Sequence, residues 1–211
     1  MSLPSKMTRI YSYITFGKRP RFPDGPHADP WHNDIPLLGH DHWQFSSKIK
    51  KLNGKQYNYS DGTAELDTGA AFCYLDDDFV KDYYTQIPAA TTINLSPDRS
   101  QERHYQLIPV KAKVTARVEL DIGGDIFTLE HSHLPKAATH WLGPTEYYIG
   151  ALQPKSLLMS GHGGAYHGPD LIGRVALVNM QIVLQFPENK AHTMSWQRKK
   201  TNFAGPSTQH W

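Results

Sequence analysis

The chain reads as one mostly-β domain with one or two short helices, and three observations predict it. The segment from Val110 to Leu120 alternates apolar and polar residues, the period of a strand with one buried face. Asp121-Ile122-Gly123-Gly124-Asp125 then reads as a tight turn into a partner strand, Ile126-Phe127-Thr128-Leu129. Fifteen prolines and sixteen glycines punctuate the rest. At 211 residues the chain is long enough for one good core, and neither an internal repeat nor an interdomain linker interrupts it. Residues 1–211 are therefore expected to form a single domain.

Taken in order, residues 18–36 read as an irregular surface loop. Asp76-Asp77-Asp78 supplies an acidic first turn for a helix whose apolar side is Phe79, Val80, Tyr83 and Tyr84. The longest apolar run, Val175 to Phe186, reads as a strand, with Pro187-Glu188-Asn189-Lys190 as the turn after it. His192-Thr193-Met194-Ser195-Trp196 returns as its partner.

Charge excludes some partners. Twenty-two basic residues against twenty acidic ones give no long-range pull toward nucleic acid or an anionic membrane. The basic clusters Lys48-Ile49-Lys50-Lys51 and Arg198-Lys199-Lys200 read as solvated faces. No stretch approaches the ~20 apolar residues of a membrane span, and Met1 to Arg9 contains no apolar run resembling a signal peptide. Cys73 has no second cysteine to pair with and reads as a small buried hydrophobe. Asn58-Tyr59-Ser60 and Asn94-Leu95-Ser96 are glycan acceptors if the chain is secreted, but they do not fix its compartment.

The histidines do not make a metal site. His40-Asp41-His42 and His131-Ser132-His133 each put two imidazoles on one strand face, yet a structural zinc wants four nitrogen or sulfur ligands. They read as exposed or hydrogen-bonded, and no metal or cofactor is expected. Gly161-His162-Gly163-Gly164 lacks the Lys-Ser/Thr of a phosphate cradle and reads as a flexible loop. No serine sits in a nucleophile elbow.

The chemistry concentrates in Asp67-Thr68-Gly69-Ala70-Ala71, held between the apolar shoulders Ala64-Glu65-Leu66 and Phe72-Cys73-Tyr74-Leu75. Asp and Gly between strands also serve ordinary turn geometry. With its flanks, however, the segment resembles the catalytic loop of pepsin-like aspartic peptidases, and in particular the C-terminal lobe of fungal members. The resemblance runs through Asp76-Asp77-Asp78 and Tyr83-Tyr84 to Pro88. Upstream, Ile14-Thr15-Phe16-Gly17 and Trp43-Gln44-Phe45 resemble the lobe's opening strand and the strand before its loop. Downstream, Leu120-Asp121-Ile122-Gly123-Gly124 resembles its glycine hairpin and Tyr148 to Gln153 its following strand. Leu171-Ile172-Gly173 resembles the segment that threads past the catalytic loop. Together these cover about residues 10–200.

The resemblance implies one lobe of a double-β-barrel fold and aspartic endopeptidase chemistry on polypeptides. Asp67 is the catalytic carboxylate. Thr68, Gly69, Ala70, Leu171, Ile172 and Gly173 support its loop, Thr68 bracing it through the hydroxyl. That mechanism needs two carboxylates sharing a proton and a water, and this chain supplies one. The resemblance therefore also implies a partner, either a second copy in a homodimer or a separate N-terminal lobe. Family members are typically secreted or vacuolar. Ala70 departs from the family's usual Thr or Ser, the lobe's usual disulfide is missing, and 161–169 has no counterpart. The alternative is a catalytically inactive peptide-binding or interaction module derived from such a lobe.

Overall fold

A computed structural model describes residues 32–39, 42–59, 61–95, 103–130, 139–158, 166–178, 180–186 and 190–198. The described part is mostly β. Four short strands open it: β1 (His32–Pro36), β2 (Gln44–Ser46), β3 (Ile49–Leu52) and β4 (Lys55–Asn58). β3 and β4 are joined by Asn53 and Gly54, both at positive φ (49° and 84°), the turn that suits the strands' twist. β5 (Thr63–Asp67) and β6 (Cys73–Leu75) flank the loop 68–72, and helix α1 (Asp77–Thr85) follows directly. Then come β7 (Thr91–Asn94), β8 (His104–Pro109), β9 (Arg117–Ile122), β10 (Asp125–Glu130), β11 (Thr139–Leu142), β12 (Thr145–Ile149) and β13 (Leu152–Pro154). A 3-10 turn at Lys155–Leu157 precedes β14 (Asp170–Gly173), a single helical turn α2 (Arg174–Leu177), β15 (Met180–Gln185) and β16 (Thr193–Arg198).

The strands form four sheets, ordered β1-β16-β15, β10-β9-β3-β4, β11-β12-β8-β7 and β13-β6-β14-β5-β2. One apolar cluster draws on all of them, including Phe45, Leu66, Leu75, Leu107, Leu120, Phe127, Ile172 and Trp196. Helix α1 adds Phe79, Val80, Tyr83 and Tyr84, the four residues its sequence spacing predicts. The Gly123-Gly124 turn joins β9 to β10, with Ile122 opposite Asp125 and both glycines at positive φ (66° and 98°). At Gly123 a Cβ would also overlap Ile35. None of the helices among the described residues is long and apolar enough to cross a membrane.

Four sequence expectations are corrected. Of the loop expected over 18–36, His32–Pro36 is a strand, paired antiparallel with β16; the rest lies outside the described residues. The strand expected from Val110 to Leu120 begins only at Arg117: Val110 N–H still donates to Glu146 O beside the end of β8, and Ala112 N–H then donates to Pro109 O in a turn. Side-chain burial still alternates through 110–116, so the apolar period is genuine while the ladder is missing. The run from Val175 to Phe186 divides into α2 and β15, a short apolar run being unable to distinguish buried helix from strand. Its return strand, β16, pairs as expected. Finally, Lys50 is not on a solvated face; it is 1% exposed. Ile14–Gly17, His40, Asp41, His131–His133, Gly161–Gly164, Pro187–Asn189, Lys199 and Lys200 lie outside the described residues.

Buried Lys50 is the centre of an ion network. Its Nζ pairs with Asp76 Oδ2 and lies 2.7 Å from Asp170 Oδ2, while Lys155 Nζ lies 2.9 Å from Asp76 Oδ1 and 3.2 Å from Asp170 Oδ1. The last contact is an ion pair without hydrogen-bond geometry. The Lys50 ammonium also sits 4.3 Å from the Tyr59 ring centroid. Burial opposes ionisation of Asp76, but hydrogen bonds from Lys50 and Lys155 outweigh it and lower its carboxyl below the ordinary value. At Asp170 burial wins, and its carboxyl is raised despite Lys50.

Candidate active site

Strand β5 alternates as its sequence requires. Ala64 and Leu66 enter the core, while Thr63, Glu65 and Asp67 share the opposite, half-buried face. Asp67 ends the strand, and its Oδ1 accepts the backbone N–H groups of Gly69 (2.7 Å) and Ala70 (3.1 Å). These two bonds fix the plane of the carboxylate. Oδ2 has no hydrogen bond among the described residues. A side chain at position 69 would place its Cβ 3.1 Å from Asp67 Oδ1, so glycine leaves room for the closure.

The loop is floored by a strand from about a hundred residues later. β14 lies between β5 and β6, parallel to the first and antiparallel to the second, with Gly173 opposite Asp67 and Leu171 opposite Tyr74. Gly173 packs directly on the loop. A Cβ there would overlap Phe72 O and stand 2.7 Å from Ala70 O. Arg174 N–H donates to Ala70 O at 2.9 Å, tying the end of β14 to the loop. On the other side Cys73 N–H donates to Ala151 O (3.0 Å), where β6 runs parallel to β13.

The structure thus brings Asp67, Thr68, Gly69 and Ala70 together with Leu171, Ile172 and Gly173. Leu171 and Ile172 are core residues, and Ala70 is buried against the loop's own floor. Thr68 is exposed, with no hydrogen-bond partner among the described residues, so nothing there braces against its hydroxyl.

Sequence reading did not single out Glu65, Gln44 and Tyr166. Gln44 is the direct cross-strand neighbour of Glu65 and donates Nε2 to its Oε2 at 3.0 Å; His42 Nδ1 lies 3.2 Å from Oε1. The signal was present, because Glu65 is the one charged residue within Thr63–Leu66 and shares parity with Asp67. Glu65 is not placed beside Asp67. It stands about 6.6–6.8 Å further along the strand, and both its oxygens already have partners. Tyr166 has its phenol pushed up to about 12, first by burial and then by the charges of Glu65, Asp61, Asp170 and Asp67. Burial also pushes Tyr74 up to about 12, with smaller contributions from Tyr105 and Asp67.

Cys73 is buried, its thiol pushed up to about 12 by desolvation. Among the described residues no three His, Cys, Asp or Glu side chains converge to hold a metal. A depression beside α1, lined by Asp77, Asp78, Lys81, His104 and Ser156, includes none of the loop residues. What the arrangement offers chemically is one oriented carboxylate at a strand end, on a loop built from two distant segments. No family model and no curated protein matches this chain.

Proposed function

We propose that this chain is a pepsin-like lobe acting in aspartic endopeptidase chemistry, with Asp67 as one carboxylate of a two-carboxylate site. The observation that carries the reading is the seating of Gly173 against Phe72 O and Ala70 O, with Arg174 N–H donating to Ala70 O. A glycine ending an apolar strand and packed beneath an Asp-Thr-Gly loop is more than the ordinary turn geometry of Asp and Gly requires. The order of the elements supports it as well: loop, acidic helix start, Tyr83-Tyr84, Gly123-Gly124 hairpin, then β14.

In this reading Asp67 activates a water toward a peptide carbonyl while a second carboxylate, sharing the proton, protonates the carbonyl oxygen. The second carboxylate comes from another copy of this chain or from a separate lobe. The substrate is an extended polypeptide gripped through its main chain. A non-catalytic peptide-binding module is the second reading. It is favoured by Ala70 in place of the family's hydroxyl and by the unbraced Thr68.

Acid proteolysis of an unfolded protein at about pH 3–5 tests the proposal, with and without a statine-type inhibitor and beside Asp67→Asn. Inhibitable cleavage that vanishes in the variant, from a species of at least dimeric mass, supports the peptidase. A strictly monomeric, folded chain that cleaves nothing, alone or with a supplied N-terminal lobe, removes it in favour of the binding module.

A further inference from the structure

We propose that the segment 112–116, just before β9, is a docking edge for an extended polypeptide strand carrying acidic side chains at alternate positions. β9 has a partner on each edge, but both stop where it begins. The β10 ladder ends with Glu130 opposite Arg117, and the β3 ladder with Leu52 opposite Val118. Asn53 closes the second edge, its N–H donating to Arg117 O and its Oδ1 accepting Arg117 N–H. Upstream of that closure, Lys113, Val114, Thr115 and Ala116 make no backbone hydrogen bond among the described residues. Their side chains nevertheless keep the strand period, with Val114 and Ala116 packed on the core and Lys113 and Thr115 in solvent.

A strand-like run without its ladder is what an added strand completes, main chain to main chain. Ala116 is only 8% exposed, so its peptide groups gain from a protein partner what water supplies poorly there. Charge then selects the occupant. Lys111, in the turn before the run, and Lys113 are both exposed, and neither has an ion-pair partner among the described residues. Arg117, next on the same face, is already held by Glu119 at 2.8 Å, and Lys51 lies 3.8 Å from the same carboxylate. Glu119 is thus taken up by two cations, which leaves the charges of Lys111 and Lys113 unneutralised. Carboxylates two residues apart on an added strand repeat at the same interval as these lysines, about 6.6–6.8 Å. Opposite charges across neighbouring strands favour the pairing, and a strand rich in lysine or arginine is repelled. The chemistry at Asp67 plays no part in this surface.

The test uses the full chain, isotope-labelled, at neutral pH and low salt, titrated with short extended peptides that alternate threonine with glutamate, glutamine or lysine. The glutamate peptide is expected to shift the amide resonances of Lys113 to Ala116 and to slow their hydrogen exchange. It should bind about tenfold tighter than the glutamine peptide, the ratio for two exposed charge pairs. The double variant Lys111→Gln with Lys113→Gln, both at exposed positions, removes that ratio and leaves glutamine-peptide binding unchanged. Equal binding of the glutamate and glutamine peptides, no binding by either, or shifts confined to other strands overturns the proposal. Binding that leaves exchange at these amides unchanged, with polyphosphate competing equally well, reduces the surface to a plain basic patch and overturns it too. Protection that grows with protein concentration before any peptide is added gives the edge to a second copy of this chain and likewise overturns the acidic partner.

Discussion

Replacing Lys50 with methionine should destabilise this protein more than any surface charge change. The Lys50 side chain is fully buried and contacts both Asp76 and the equally buried Asp170. Methionine conserves most of the stem but removes the ammonium. Asp170 is left with Lys155 at 3.2 Å, off hydrogen-bond geometry, and Asp76 with Lys155 at 2.9 Å. Breaking a buried ion pair by removing one partner costs about 3–5 kcal/mol, because the remaining charge stays buried and uncompensated. At 2–4 °C per kcal/mol for a chain of this size, the melting temperature should fall by about 6–20 °C. Chemical denaturation and calorimetry at pH 7 measure both quantities. The double variant Lys50→Met with Asp170→Leu should recover most of the loss, since an apolar pair replaces the ionic one while Asp76 keeps Lys155. Hydrogen exchange adds a local readout. Asp76 and Asp170 sit at the shared end of β6 and β14, so amide exchange at the Gly69 and Ala70 end of the same strands should accelerate. A loss below about 1 kcal/mol, or a double variant no more stable than the single, would refute the reasoning.

Three other outcomes follow from the same geometry. Gly173→Ala forces β14 away from the carbonyl oxygens of Phe72 and Ala70 and should cost about 3 kcal/mol; wild-type stability in equilibrium unfolding would contradict the packing. The lowered carboxyl of Asp76 contributes stability above its ordinary value of 3.8 that is lost as pH falls through its lower folded value. Asp76→Asn should therefore flatten the acid limb of the stability curve below pH 3.8, and an unchanged limb would count against the pairing. Cys73, raised from 9.0 to about 12, contributes stability present below 9.0 and lost as pH rises toward 12. The native thiol should resist a disulfide reagent at neutral pH and react once the chain is unfolded; rapid labelling of folded protein would show that its burial is not maintained.

How much of this was legible depended on whether the cause was local. Helix α1 was legible because its acidic start and the 79/80/83/84 spacing lie within one segment. The β9–β10 turn was legible because Gly123-Gly124 permits positive φ where few residues do. Asn53-Gly54 carries an equally strong local signal for the β3–β4 turn. The loop at Asp67 and its floor at Leu171–Gly173 were both legible, but as a family resemblance; no local pattern links residues so far apart. Lys50 was misread because its neighbours Lys48 and Lys51 are typical of a wet strand. Only Asp76 and Asp170, brought in by β6 and β14, make its burial tolerable. β1 failed for the same reason, since its proline- and histidine-rich sequence pairs only because β16 offers a partner. Glu65 belongs to no motif of its own; only the strand period, which puts it on the same face as Asp67, marks it.

The insertion of β14 between β5 and β6 also fixes when the loop can form. Until Asp170–Gly173 arrives, β5 and β6 face each other across a strand-wide gap, with alignments about 9.6 Å apart, twice the usual strand spacing. No hairpin can close that gap on its own. During synthesis the Asp67 loop must wait for roughly a hundred further residues, so it belongs among the slow, nonlocal pairings of the fold. Protection of the Gly69 and Ala70 amides would therefore report late folding of the whole chain, and Asp67 would reach its orientation only once assembly is nearly complete.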